Sequence, residues 1–212
     1  MKQIKLTFVA MLLSVTLGVL LFTGSNTYKA KRTIYVDQAN GNDSNTGISF
    51  SEAFKTIKKA TEIISPGDIC IVEKGNYPER VYISRSGNKN NLITFKAAKS
   101  GVITKGFTVE ADYIRIEGFE ITGTDPKSWK NGAGIHLKGK YCEILNNYIH
   151  NVYLEGIRLG ADLVSPETSN CLVKANRMIR CGQAGIQVGG QKNVIDSNEI
   201  SGTIQWAKTN PQ

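Results

Sequence analysis

His136, Arg158 and Gln187 occupy the same place in three copies of one motif: Gly134-Ile135-His136-Leu137, Gly156-Ile157-Arg158-Leu159 and Gly185-Ile186-Gln187-Val188. An imidazole takes or gives a proton near neutral pH, and a guanidinium neutralises a carboxylate, so His136 and Arg158 form the candidate catalytic pair. The insert Gly123 to Ala133 carries Lys127, Trp129 and Lys130. Its ammonium groups could hold an anion, and the indole offers a flat apolar face on which a ring can stack. With Gln187 and Glu155 these make the candidate binding set. Each residue also has a plainer reading: Arg158 as a solvated side chain paired with Glu155, His136 as an unconstrained outward residue, and the two lysines as loop solvation.

The elements that must position these groups follow from the repeat. The Gly-Ile columns are offset by 22 and 29 residues, and a second set, Phe119-Glu120-Ile121, Asn147-Tyr148-Ile149, Asn176-Arg177-Met178 and Asn198-Glu199-Ile200, is offset by 28, 29 and 22. Two columns in step mean a unit of about 22 residues with inserts, which is the signature of a solenoid. The runs are short, alternating and rich in β-branched residues, so they read as strands. One coil is then Gly134 to Leu137, a turn at Lys138 to Tyr141, Cys142 to Ile144, a tight corner at Asn146-Asn147, and Tyr148-Ile149. Stacked in parallel, Ile135, Ile157 and Ile186 form one core column and Leu137, Leu159 and Val188 another, leaving His136, Arg158 and Gln187 outward. The segment 161–169 would wall one side of that face and the Trp129 insert the other. The fold class is all-β, a single right-handed parallel β-helix. Asn147, Asn176 and Asn198 are read as a corner column, tolerant of left-handed backbone and joined by an amide ladder.

A short capping helix is expected at Ser51 to Ile64, with Ser51 as N-cap and Phe54, Ile57, Thr61 and Ile64 on its inner face. Residues 1–30 read as a signal peptide or N-terminal anchor: Lys2 and Lys5 precede an uncharged run from Leu6 to Phe22, and no Cys follows at a lipid-attachment position. The β-helix domain is 31–212, and with no second cap visible it is expected to be truncated at its C-terminus. The chain carries a net charge of +8, falling to +5 without Lys2, Lys5 and Lys29, which suits an acidic polymer as partner. The basic residues are scattered and match no nucleic-acid module. Cys70, Cys142, Cys171 and Cys181 form no CxxC or metal-ligand pattern; Cys142 and Cys171 fall on neighbouring coils as stacked thiols, with a disulfide as the alternative.

The stretch from Thr33 through Tyr35-Val36-Asp37 and Asn40-Gly41-Asn42-Asp43 to Gly47, then Ala53-Phe54-Lys55-Thr56-Ile57, Pro66-Gly67-Asp68 and Gly75-Asn76-Tyr77-Pro78-Glu79, resembles the opening of secreted right-handed β-helix proteins. Among them are the family 9 pectate lyases and the chondroitinase B and alginate lyase group. The likeness covers nearly all of 33 to 203 and marks the architecture better than the activity, since lyases, epimerases, hydrolases and non-catalytic surface proteins share it.

The resemblance implies a carbohydrate-facing protein with the polymer along the outside of the coils; with the export segment and the basic charge, the expectation is a secreted or cell-surface monomer facing an acidic polysaccharide, with no nucleic acid as partner and membrane attachment only if residues 1–30 are retained. The resemblance also implies β-elimination on uronates, in which the carboxylate is neutralised, often by Ca2+, and a base removes the C5 proton. Ca2+ is possible but has no clear ligand cluster. Asp125, Glu143, Glu155, Asp162, Glu167, Asp196 and Glu199 include no adjacent pair, and the aspartate cluster of the family 9 enzymes is not found. The Asn40 to Asn45 loop lacks EF-hand spacing and reads as a turn. The functional expectation is polysaccharide binding and processing, lyase-like, with a non-catalytic glycan-binding surface protein as the alternative.

Overall fold

The computed structural model describes residues 31–126, 128, 131–160 and 168–202, so the proposed export segment and Lys127, Trp129 and Lys130 lie outside the described residues. An entry strand β1 (Thr33–Val36), a 3-10 turn (Phe50–Glu52) and helix α1 (Ile57–Ile63) lead into the coils. The first coil is β2 (Ile69–Val72), β3 (Gly75–Tyr77) and β4 (Val81–Ile83), and the second is β5 (Ile93–Ala97), β6 (Val102–Thr104) and β7 (Phe107–Val109). The third is β8 (Ile114–Glu117), β9 (Glu120–Ile121) and β10 (Ile135–Leu137), and the fourth is β11 (Glu143–Leu145), β12 (Tyr148–His150) and β13 (Ile157–Leu159). Then come β14 (Leu172–Lys174), β15 (Arg177–Ile179) and β16 (Ile186–Val188), followed by β17 (Val194–Asp196) and β18 (Glu199–Ser201).

Every third strand pairs in parallel, giving a first sheet β1-β2-β5-β8-β11-β14-β17, a second sheet β3-β6-β9-β12-β15-β18 and a third sheet β4-β7-β10-β13-β16. The chain is a right-handed parallel β-helix, as the repeat requires. Its core is a set of ladders along the axis: Ile135 and Ile157 are fully buried, as are Leu137 and Leu159, while Ile186 is half-buried and Val188 is 44% exposed on the last of these rungs.

Three local readings need correction. The left-handed residue at the tight corner is the one before each asparagine, Asn146, Ala175 and Ser197, with φ of 55°, 55° and 52°, and Gly118 before Phe119 takes the same place at 81°. The asparagines instead carry the ladder, Asn147 Nδ2 donating to Asn176 Oδ1 at 3.0 Å and Asn176 Nδ2 to Asn198 Oδ1 at 2.9 Å. The helix starts at Ile57, capped by Thr56, whose Oγ1 accepts from Lys59 N at 3.1 Å. Phe54 is not on its face, because it bridges to Val36 as strand-like backbone, and the buried face is Ile57, Ala60 and Ile64 rather than one including Thr61. Strand two of the fourth coil begins at Glu143, one residue after Cys142. All four cysteines are free and buried, as the stacked-thiol reading expected, and Cys142 N donates to Cys171 Sγ at 3.5 Å.

The Asn40 to Asn45 loop is a structural staple. Asp43 Oδ1 accepts from the backbone N–H groups of Lys55 and Thr56, and Asn42 Oδ1 accepts from Ser44 N. Glu79 then takes the N–H groups of Ile57 and Lys58, so the first turn of the helix is tied to the first coil. Arg32 pairs with the buried Asp68, whose carboxyl burial alone would push up; hydrogen bonds from Arg32 and Ser65 and the guanidinium charge outweigh that and hold it below the usual carboxylate range. Among the described residues no helix is long and apolar enough to cross a membrane.

Candidate functional site

In each Gly-Ile-X-Leu strand the branched residues turn into the core, so X stands on the outside of the third sheet. Register makes these positions one column, Tyr82, Thr108, His136, Arg158 and Gln187, each beside the next. Parallel pairing fixes the step at about 4.8 Å per rung. The sequence therefore brings His136, Arg158 and Gln187 together as expected. The exposure differs from expectation: Thr108, His136 and Arg158 are only 1%, 5% and 6% exposed, whereas Tyr82 and Gln187 at the two ends reach solvent. Arg158 is thus not a solvated residue and His136 is not an unconstrained one: Arg80 lies on Thr108, Gly160 O on His136 and Glu155 on Arg158.

Arg80 fastens that cover. Its guanidinium donates to Thr108 Oγ1 at 2.8 Å and to the carbonyls of Phe107, Asn131 and Ala133 at 2.8, 3.1 and 2.8 Å. Burial lowers this guanidinium to about 10, so it stays charged at neutral pH. Tyr82 Oη donates to Asn131 Oδ1 at 2.9 Å, and Thr124 Oγ1 both donates to Gly132 O and accepts from Tyr153 N, at 2.8 Å each. Lys127, Trp129 and Lys130 belong to this same insert but fall outside the described residues, as does 161–167 of the expected second wall.

Glu155 and Arg158 form a buried ion pair at 2.8 Å, three residues apart in the chain, with Glu155 itself 1% exposed. His136 Nε2 lies 3.2 Å from Gly160 O, so that nitrogen is assigned the proton. The His136 imidazole therefore stands one rung from a guanidinium already balanced by a carboxylate. Among the described residues no group of three or more His, Cys, Asp or Glu side chains could hold a metal ion.

The structure also assembles groups that the sequence reading passed over. On the second sheet His150 Nε2 meets Glu120 Oε1 at 3.0 Å, with Tyr148 stacked on the imidazole at 4.5 Å and the Arg177 guanidinium 5.7 Å from the Tyr148 ring. Strand alternation places residues 148 and 150 on one face, which was the available signal. Beside it a cleft of about 310 Å³ opens between Thr124, Asn151, Tyr153 and Arg180.

Comparison with known proteins bears on the scaffold. Residues 80–205 match the family described as the right handed beta helix region. Similar solved structures include the GH136 lacto-N-biosidase from Eubacterium ramulus, with a TM-score of 0.57, 17% identity, and 74% of this chain matched to 36% of that one. Pectate lyase Pel9A gives a TM-score of 0.55 and 19% identity, with 87% of this chain on 57% of that one. The alginate lyase from Paenibacillus sp. str. FPU-7 gives 0.51 and 16%, with 80% of this chain on 76% of that one. The chain therefore spans about a third of the first and rather more than half of the second, and at these identities the likeness concerns the fold. No curated protein matches. With more than half its length matched and its three parallel sheets in register, the chain belongs to the right-handed β-helix family.

Proposed function

We propose that this protein acts outside the cell as a polysaccharide-binding β-helix of lyase-like ancestry, with an acidic polymer lying along the outer face of the third sheet. The observation that carries the reading is the column Tyr82, Thr108, His136, Arg158 and Gln187, a polar stripe along the axis whose two ends, Tyr82 and Gln187, reach solvent while its middle rungs are buried. The net charge of +8 favours an acidic ligand, and a pectate lyase, an alginate lyase and a lacto-N-biosidase share the scaffold. If the face also processes the polymer, β-elimination assigns carboxylate neutralisation to Arg158 and removal of the C5 proton to the His136 imidazole through Nδ1, since Nε2 already carries a proton toward Gly160 O. The Glu155–Arg158 pair favours the second reading, binding without turnover, because a guanidinium already balanced and buried has little charge left for a substrate.

One experiment separates them: the purified chain is incubated with pectate, alginate and glycosaminoglycans, with and without calcium, while absorbance near ~235 nm reports unsaturated product and a parallel titration reports affinity. A rise with one polymer establishes a lyase and its substrate. Affinity with a flat trace establishes a binding module, and neither affinity nor product on any acidic polymer refutes the proposal.

A further inference from the structure

A second cleft, of about 410 Å³, opens where the third sheet turns into the first, within the size range of roughly 300–1,000 Å³ typical of small-molecule sites. Its wall is a pair of stacked tyrosines, Tyr113 and Tyr141, with ring centroids 4.9 Å apart and planes 9° from parallel. Leu172, Glu143, Asn170 and Lys89 supply the rest of the lining used here.

Both tyrosines sit in left-handed backbone, with φ of 58° and 56°. A bulky residue there costs on the order of 1–2 kcal/mol, which stacking of about 0.5–1.5 kcal/mol only partly offsets. Down the same corner the next left-handed residues are Asn170 and Lys192, and other corners use Asn146, Asn151, Ala175, Arg180 or Ser197. In register, the rung after Tyr141 is Asn170, so the aromatic stack stops there and Tyr141 is left 45% exposed. An aromatic wall and the outward Leu172 meet the C–H face of a sugar ring, while Glu143 and Asn170 can take its hydroxyls.

Charge narrows the ligand. Glu143 is already held by Arg115, with Nε and Nη2 each 2.7 Å from Oε2, and among the described residues no ion pair involves Lys89. Of the two charged residues that line the cleft, Lys89 is therefore the one without an ion pair among the described residues.

We propose that this corner cleft is a saccharide subsite, separate from the third-sheet face, that stacks a pyranose ring against Tyr141 and takes a uronate carboxylate at Lys89. It rests on the proposed function only for the choice of an acidic sugar. The test is calorimetric titration of the full chain with trigalacturonate and, as a neutral control, maltotriose. Tyr141→Asn removes the ring but keeps a residue suited to left-handed backbone, so it should fold and weaken trigalacturonate by about tenfold, a loss of about 1.4 kcal/mol. Tyr141→Phe should bind as the parent does, and Lys89→Gln, an exposed change, should weaken trigalacturonate severalfold and leave maltotriose unaltered. No binding to the parent chain, or unchanged affinity in Tyr141→Asn or Lys89→Gln, overturns the subsite. If instead Gln187→Ala or Tyr82→Ala abolishes binding while Tyr141→Asn does not, the sugar lies on the third sheet and only this inference fails.

Discussion

Arg158 shows how a residue singled out for chemistry can be fixed by structure first. Its guanidinium and Glu155 share a buried site, so removing one partner strands the other charge away from water. Arg158→Ala should lower stability by about 3–5 kcal/mol, read from the shift of the urea midpoint at constant slope, while the double change Arg158→Met with Glu155→Leu should regain most of that loss. A single variant within about 1 kcal/mol of the parent would show that the pair is not the anchor described. The same number warns that lost activity in Arg158→Ala reports folding as much as chemistry, which makes Gln187 and Tyr82 the better probes of the face. The sequence placed His136, Arg158 and Gln187 in one column because alternation and register are local properties. It could not show that the column is covered, since Arg80, which holds the cover, lies 51 residues from Asn131 and belongs to another coil. Nor did spacing reveal Tyr113 and Tyr141 as a stack, because their pairing depends on corner conformations that carry no motif.

At the scale of the coil, the glycine that opens each Gly-Ile motif has a steric reason. A methyl on Gly156 would lie 2.6 Å from Gly185 O and 2.9 Å from Met178 Cγ, and one on Gly134 would meet Gly156 O at 2.6 Å. The coils approach so closely at this edge that no side chain fits between rungs. Gly156→Ala should therefore cost about 1–3 kcal/mol by forcing two coils apart, and a thermal melt compared with the parent checks it; an unchanged midpoint would mean that the backbone gives way freely. The repeat was legible because four successive rungs carry glycine at this position, Gly106, Gly134, Gly156 and Gly185, whereas Arg80 stands at the first. The capping helix was less so. Its apolar spacing extended back to Phe54, but that residue's backbone is taken by Val36, a tertiary contact that overrides the helical pattern and moves the start to Ile57.

For the molecule as a whole, each strand pairs only with those of neighbouring coils, so stability is close to a sum of rungs and interfaces, with the bonds of Arg80 and Tyr82 to residues 131–133 as contacts that skip a coil. The middle rungs are sealed, with Ile116, Ile144 and Val173 fully buried, whereas Val194 and Ile195 on β17 and Ile200 on β18 are exposed. Amide hydrogen exchange should follow that gradient, slowest in β8 and β11 and fastest in β17 and β18 among the described strands. Uniform protection along the axis would contradict it and would mean that the coils open only together.

Coils of 22 and 29 residues differ in girth but not in rise, because every strand steps by one parallel rung whatever the length of the loops. Breadth and length are thus inherited separately. A loop can be rewritten to alter what a face grips without disturbing the count of rungs, and duplication of one unit lengthens the face by one fixed increment of about 4.8 Å. Such a molecule changes its reach in quanta and its selectivity continuously.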